Sequence, residues 1–291
     1  MTCYHPWTKR QPEDDSLRLP CGGCIGCRLE QAQQWALRCR HEAACWDSNY
    51  FLTLTYDEDH LEWHGSLNPD HPRKFLRALR KRVSGAQRAP GSDRRPIRFF
   101  GCGEYGSQRL RAHYHLLLFN LQLRDLHRYG SDTFCSDLVS ELWPRGSHLL
   151  GKFTPAAAAY VAGYCLKKQR RHRHEDHYGV VDADTGEWYQ RHPDFNMMSR
   201  RPGIGRYWYE RYKSELQHGY CVADGKQVAV PRLYRTKLQE DAPLLYEEMQ
   251  SRRAQQTRKF DPTEQSEERL AVRERVAAAK RNFFSHNHLE D

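Results

Sequence analysis

The sequence predicts an α+β fold, a sandwich around a central antiparallel sheet with helices on its faces, and three observations carry that prediction. Tyr50–Tyr56 (YFLTLTY) and His113–Phe119 (HYHLLLF) are short apolar runs with strand character. A third run, Ile97–Glu104 (IRFFGCGE), is followed by Tyr105–Arg111, whose Gly106 and Ser107 turn it back on His113–Phe119 as a hairpin. Segments with helical spacing are interspersed with these strands, and hairpin pairing beside helices is the α+β pattern.

The elements follow in order. Residues 1–48 form a Cys-rich segment and a helix, Leu29–Trp46. Cys21, Cys24 and Cys27 make a C-x2-C-x2-C run in a glycine-rich turn, a spacing that chance does not supply. With Cys3 as fourth ligand they are expected to hold a structural Zn²⁺, with His5, Cys39, His41 and Cys45 as alternatives for that fourth position. The segment carries no apolar signal sequence, so its thiols are expected to be free or metal-bound rather than paired in disulfides.

After the strand at Tyr50–Tyr56 comes PRKFLRALRKRV (Pro72–Val83). Phe75, Leu76, Leu79 and Val83 fall on one side of a helix, and Arg73, Arg77, Arg80 and Lys81 offer charge elsewhere. Such a helix suits DNA phosphates. A linker rich in Gly, Pro and Arg (Ser84–Pro96) leads to the hairpin, and helices are predicted at Ser136–Leu142 and Pro155–Lys168.

The predicted hairpin and the last helix carry the chemistry. Alternate residues of a strand share a face, so His113 and His115 project together, and the hairpin sets the Glu104 carboxylate beside them. The chain has two further His-x-His pairs, His172/His174 and His286/His288, but only the first opens an apolar strand. One carboxylate and two imidazoles with water suit Mg²⁺ or Mn²⁺. Tyr160 and Tyr164, spaced i and i+4, point the same way from a helix, and Lys167 and Lys168 lie three and four residues beyond the second of them.

Beyond Lys168 a polar stretch to Trp188 reads as a loop or hairpin insertion. SRRPGIGR (Ser199–Arg206) places Arg200 and Arg201 beside glycines that let a backbone approach phosphates, and YWYERY (Tyr207–Tyr212) reads as an amphipathic helix packed by its aromatics. Residues 240–291 read as one or two exposed helices with a frayed end. The expected organisation is 1–48, a core over 49–220 and a largely helical, charged extension over 221–291.

The net charge is +9, and the stretch 236–291 holds 10 Lys/Arg against 11 Asp/Glu, so the positive excess belongs wholly to the motif-bearing part. No apolar run approaches 18 residues, which predicts a protein with no membrane span that works in the cytoplasm.

Four stretches together resemble the HUH endonucleases, named for two histidines flanking a hydrophobic residue, here His113-Tyr114-His115. These are PCGGCIGCR (Pro20–Arg28), FLTLTY (Phe51–Tyr56), Glu104 to His115, and YVAGYCLKK (Tyr160–Lys168). More narrowly, the chain is similar to replication initiators of gokushovirus-type single-stranded-DNA microviruses, and the likeness extends to SRRPGIG (Ser199–Gly205). The resemblance implies an HUH sandwich that nicks and rejoins one strand of viral origin DNA, single-stranded or locally melted, through a 5′-phosphotyrosine. It also implies a metal on Glu104, His113 and His115, nucleophiles at Tyr160 and Tyr164 with Lys167 assisting, and the cytoplasm of an infected bacterium. No G-x-x-x-x-G-K-[ST] occurs, so a host helicase and DNA polymerase are the expected partners. A plasmid relaxase or transposase shares that chemistry, and a zinc-containing single-stranded-DNA-binding protein is the alternative without catalysis.

Overall fold

A computed structural model describes residues 3–8, 18–86, 96–106, 110–164, 178–182, 184–258 and 262–286. The chain divides into two compact units, one formed by Met1–Gln34 with Tyr212–Asp291, the other by Trp35–Arg211. The boundary falls inside helix α1, Ile25–Ala43.

The unit Trp35–Arg211 is built on a seven-stranded sheet. Its strands are β3 (Asn49–Thr55), β4 (Arg98–Tyr105), β5 (Ala112–Phe119), β6 (Leu126–Arg128), β7 (Thr133–Ser136), β8 (His148–Lys152) and β11 (Phe195–Met198). They lie in the order β11-β4-β5-β3-β8-β7-β6, every neighbouring pair antiparallel. The predicted hairpin is β4–β5, in a register that sets Glu104 opposite His113 and Cys102 opposite His115. β11 has no counterpart in the sequence reading because FNMM is a short edge strand with no alternation of its own.

Alternation along the central strands sorts two cores onto opposite faces. On one face, Leu52, Leu54, Tyr114, Leu116 and Leu118 meet Phe75, Leu76, Leu79 and Val83 of helix α2, Asp70–Ala86. Val139 of the short helix α3, Asp137–Leu142, joins this core. On the other face, Phe100, Cys102, Leu117 and Phe119 meet Cys39, Ala43 and Trp46 at and beyond the end of α1, and Ala158, Val161 and Ala162 of helix α4, Pro155–Gly163. Each of these side chains is nine-tenths or more buried, so helix, sheet and helix layers form a sandwich.

Tyr114, between the two histidines, therefore points away from them. Its hydroxyl lies 2.7 Å from that of Tyr56 and donates to the Asn68 carbonyl at 2.8 Å, anchoring the approach to α2. Gly103 in β4 is required by the same layer, because a Cβ there would lie 2.6 Å from the Phe195 ring.

A buried ion pair ties the SRRPGIG loop to the opposite face. Arg98 donates to Glu42 at 2.5 Å and to the Pro202 carbonyl at 2.7 Å. The second Glu42 oxygen accepts from the Gly205 amide at 2.6 Å, and Trp46 donates to the first at 3.1 Å. The following helix, Arg206–Tyr212, packs by its aromatics as predicted: Tyr209 is buried and Trp208 stacks on His41 at 3.6 Å. The polar insertion ends in a hairpin of β9 (Gly179–Val181) and β10 (Trp188–Gln190).

In the unit Met1–Gln34 with Tyr212–Asp291, β1 (Trp7–Thr8) pairs with β2 (Arg18–Leu19), and β12 (Tyr220–Ala223) with β13 (Lys226–Ala229). Helices follow at Arg232–Asp241, Pro243–Arg258 and Glu267–His286. Arg18 donates to the Gln265 carbonyl at 2.7 Å and His5 meets Glu274 at 2.6 Å, so the charged C-terminal segment has partners as well as exposed surface. No helix among the described residues is long and apolar enough to cross a membrane.

Candidate metal and tyrosine site

Three neighbouring strands put Glu104, His113, His115, Thr53 and Thr55 on the sheet face that α4 covers. Nε2 of His113 lies 2.9 Å, and Nε2 of His115 3.3 Å, from the same Glu104 oxygen. These separations are close to the edge, about 3 Å, of an octahedron whose metal–ligand bonds are about 2.1 Å. The second ring nitrogens are also engaged: Nδ1 of His113 lies 3.0 Å from the Arg111 carbonyl, and Nδ1 of His115 3.0 Å from the Thr53 hydroxyl. A proton on each Nδ1 leaves each Nε2 with a lone pair for a cation, so the residues fit a bound divalent ion. Glu104 and His115 are buried and His113 is partly so.

Helix α4 brings the tyrosines. Thr154 caps it, its hydroxyl accepting from the Ala157 amide at 3.0 Å, with Pro155 in the first turn and four alanines following. Tyr160 lies in the last turn and Tyr164 is the C-cap, their ring centroids 5.0 Å apart. The Tyr160 hydroxyl is 3.4 Å from Nε2 of His115, and the Tyr164 ring stacks on His115 at 5.8 Å. Phe51 stacks on His115 as well, at 5.4 Å, holding the imidazole plane.

Tyr160 is 49% exposed, which leaves its phenol open to a bound strand. Burial raises the pKa of both phenols, and the Glu104 carboxylate raises both further; a hydrogen bond from Tyr164 partly offsets this at Tyr160. Each is therefore a neutral phenol at neutral pH while the Glu104 charge stands uncompensated.

The predicted cysteine group also assembles. Sulfur atoms of Cys3, Cys21, Cys24 and Cys27 all lie within 4.8 Å of one another. Cys24 and Cys3 are 3.9 Å apart, against about 3.8 Å for two thiolates on a tetrahedral zinc with bonds of about 2.3 Å. Burial pushes the Cys24 thiol up, but the Tyr4 and Cys27 amides and neighbouring thiols outweigh it and hold it at about 6. Amides of Cys21 and Cys24 donate in turn to Cys3 and Cys21. This donor set suits a closed structural site. The alternative ligands are placed otherwise: Cys39 packs in the core, Cys45 bonds to the His41 carbonyl, His41 stacks on Trp208, and His5 meets Glu274.

The basic residues divide. Arg73, Arg77 and Lys81 are exposed on α2, and Arg200 and Arg201 are exposed beside the loop tied down by Glu42. The sequence groups Arg80 with its neighbours, but its guanidinium turns inward, donating to the Ile97 carbonyl at 2.8 Å and 3.0 Å and lying over Phe99. Lys167, Lys168 and the pair His172/His174 lie outside the described residues. Thr53 and Phe51, which hold His115, stand out in the sequence only as part of a strand; alternation from Leu52 and Leu54 places them on the histidine face.

An antiparallel α+β sandwich with helices on both faces, carrying a carboxylate–histidine–histidine group, is an HUH-like architecture. Residues 49–169 match the ORF2-type family of replication-associated proteins. The chain is 33% identical over 235 residues to the replication-associated protein VP4 of Bdellovibrio phage phiMH2K, covering 78% of this chain and 70% of the relative. It is 35% identical over 160 residues to the replication-associated protein ORF2 of Spiroplasma virus 4, which is 52% of this chain and 48% of that one. It is 30% identical over 167 residues to the replication-associated protein ORF4 of Chlamydia phage 1, 54% and 40% of the two chains. No solved structure matches the chain significantly. The chain belongs to the replication-associated proteins of microvirus-type phages.

Proposed function

We propose that the protein initiates rolling-circle replication by cutting one strand of viral origin DNA, single-stranded or locally melted, and later rejoining it. The observation that carries this reading is the Tyr160 hydroxyl 3.4 Å from His115, beside a three-residue group that fits a divalent cation. Mg²⁺ or Mn²⁺ held by Glu104, His113 and His115 supplies positive charge that polarises the scissile phosphate and favours phenolate.

The phenol oxygen of Tyr160 attacks phosphorus, its proton leaving to solvent, as the bond to the 3′-oxygen breaks and that oxygen leaves as a 3′-hydroxyl. A 5′-phosphotyrosine ester remains, and its energy is kept for rejoining without a nucleotide cofactor. Tyr164 cuts the regenerated origin, and the freed 3′-hydroxyl attacks the first ester to close a circle. Lys167 and Lys168 assist with charge, and Arg200 and Arg201 contact the strand's phosphates. The Cys3, Cys21, Cys24 and Cys27 group holds zinc as a staple of its unit. The protein works in the cytoplasm of the infected bacterium with a host helicase and DNA polymerase.

The test is incubation with single-stranded fragments of the encoding genome and Mn²⁺, followed by denaturing electrophoresis. Wild type is expected to form a metal-dependent protein–DNA adduct that survives Tyr160→Phe or Tyr164→Phe and vanishes in the double variant. No adduct from folded, metal-loaded protein would favour a non-catalytic single-stranded-DNA-binding role.

A further inference from the structure

The exposed cations of α2 lie on the wrong side of the sheet to touch a phosphate undergoing attack by the tyrosines. Helix α2 packs on the face of Leu52, Leu54 and Tyr114, whereas Tyr160, Tyr164 and the histidines occupy the face of Leu117 and Phe119. Yet α2 has the form of a phosphate-binding surface. Arg73, Arg77 and Lys81 recur every fourth residue on its exposed side, one above the other at steps of about 6 Å, with Lys74 and Arg82 flanking them.

Little competes for these charges. Arg77, Lys81 and Arg124 have no carboxylate partner among the described residues. The Arg73–Asp70 and Arg82–Glu141 pairs are more than half exposed at both ends, where an ion pair is weak and readily exchanged for a phosphate. Where the line of cations ends, a cavity of about 290 Å³ opens between Arg82, Val83, Leu123, Arg124 and Leu138. Val83 and Leu123 give it apolar walls, and two guanidiniums stand at its rim.

A line of cations leading to an apolar cavity with a cationic rim matches a nucleotide chain whose bases are unpaired: the backbone follows the helix and a base enters the cavity. A duplex keeps its bases stacked and offers none to such a cavity. We propose that α2 and this cavity form a second DNA site, which holds an unpaired strand segment on the face opposite the tyrosines. The inference rests on the protein acting on DNA, and it assigns α2 to retention rather than to cleavage.

The test is made in a Tyr160→Phe/Tyr164→Phe background, where no ester can form, by measuring binding of a fluorescent oligothymidylate and of a duplex at several salt concentrations. Adding Arg77→Gln, Lys81→Gln and Arg124→Gln is expected to weaken single-strand binding at least tenfold and to lower its salt slope by about 2. Duplex binding should fall less. In the otherwise wild-type protein the same three exchanges should leave adduct yield on short genome fragments within twofold. Unchanged single-strand affinity and slope, or a larger loss for duplex, would overturn the proposal. Lost adduct with intact single-strand binding would overturn it too, by placing these side chains at the cleavage site. All three exchanges are on exposed side chains, and an unchanged melting temperature confirms folding. Absence of adduct from the unsubstituted protein is a failure of the nicking reading alone, because the binding arms need no chemistry.

Discussion

The Thr53 hydroxyl lies 3.0 Å from Nδ1 of His115, on the strand next to it. That contact holds one of two imidazoles facing Glu104 and selects the tautomer in which Nε2 can accept a cation. Thr53→Val keeps the shape and removes the hydroxyl. Mn²⁺ affinity measured by calorimetry should fall about 10- to 100-fold, and Thr53→Ser should restore most of it. Equal affinity in Val and Thr forms would remove Thr53 from the site.

Glu42 and Arg98 should be worth more together than their surroundings suggest. The pair is 0% and 1% exposed, and each carries bonds to the Pro202–Gly205 loop or to Trp46. Glu42→Gln leaves a buried guanidinium without its counter-charge and should cost about 3–5 kcal/mol in denaturant unfolding. The double variant Glu42→Gln/Arg98→Met should cost clearly less than the two single changes summed. Additivity would mean that the two charges do not depend on each other.

His41 should make stability fall on acidification. Burial, and secondarily the nearby Arg40, depress it from 6.5 to about 3. The unfolded chain therefore binds a proton that the folded one refuses. The contribution is full above pH 6.5 and declines as pH falls from there towards 3, by about 1 kcal/mol per unit. Unfolding free energies at pH 7, 6 and 5 measure the slope, and His41→Asn should flatten it; an identical slope in the variant would assign the effect to other groups.

Loss of zinc should be local in its cause. Cys24→Ser removes the thiol on which two amides converge. Zinc measured by mass spectrometry should drop from about one equivalent to near none. The melting temperature of the unit that contains Cys24 should fall with it. Retention of a full equivalent would show that the metal is not held by these cysteines.

Gly103→Ala should cost about 1–3 kcal/mol, because its Cβ would overlap the Phe195 ring. Phe195→Leu in the same protein should recover part of the loss.

Much of this arrangement is legible in the sequence because its signals are local. The HYHLLLF run, the glycine turn before it and the paired tyrosines each fix a face by period alone, and the structure joins those faces. Ser136, which the sequence marks as the start of a helix, is its N-cap. What stays hidden depends on partners remote in sequence. β11 is a strand only because β4 offers it an edge, and Arg80 leaves its charged row only because the Ile97 carbonyl is within reach. The Glu42–Arg98 pair joins residues 56 apart, and no periodicity marks either one.

The three ligands Glu104, His113 and His115 all belong to one hairpin, no more than eleven residues from first to last, whereas Tyr160 arrives from 45 residues beyond His115. Contacts of short sequence range form early and at small entropic cost, those of long range later. The cation-binding half of the site can thus exist on a folding chain before its nucleophiles are in place. A metal held by such a hairpin stabilises the pairing of β4 with β5, so metal concentration should set the refolding rate of this unit as well as its final stability.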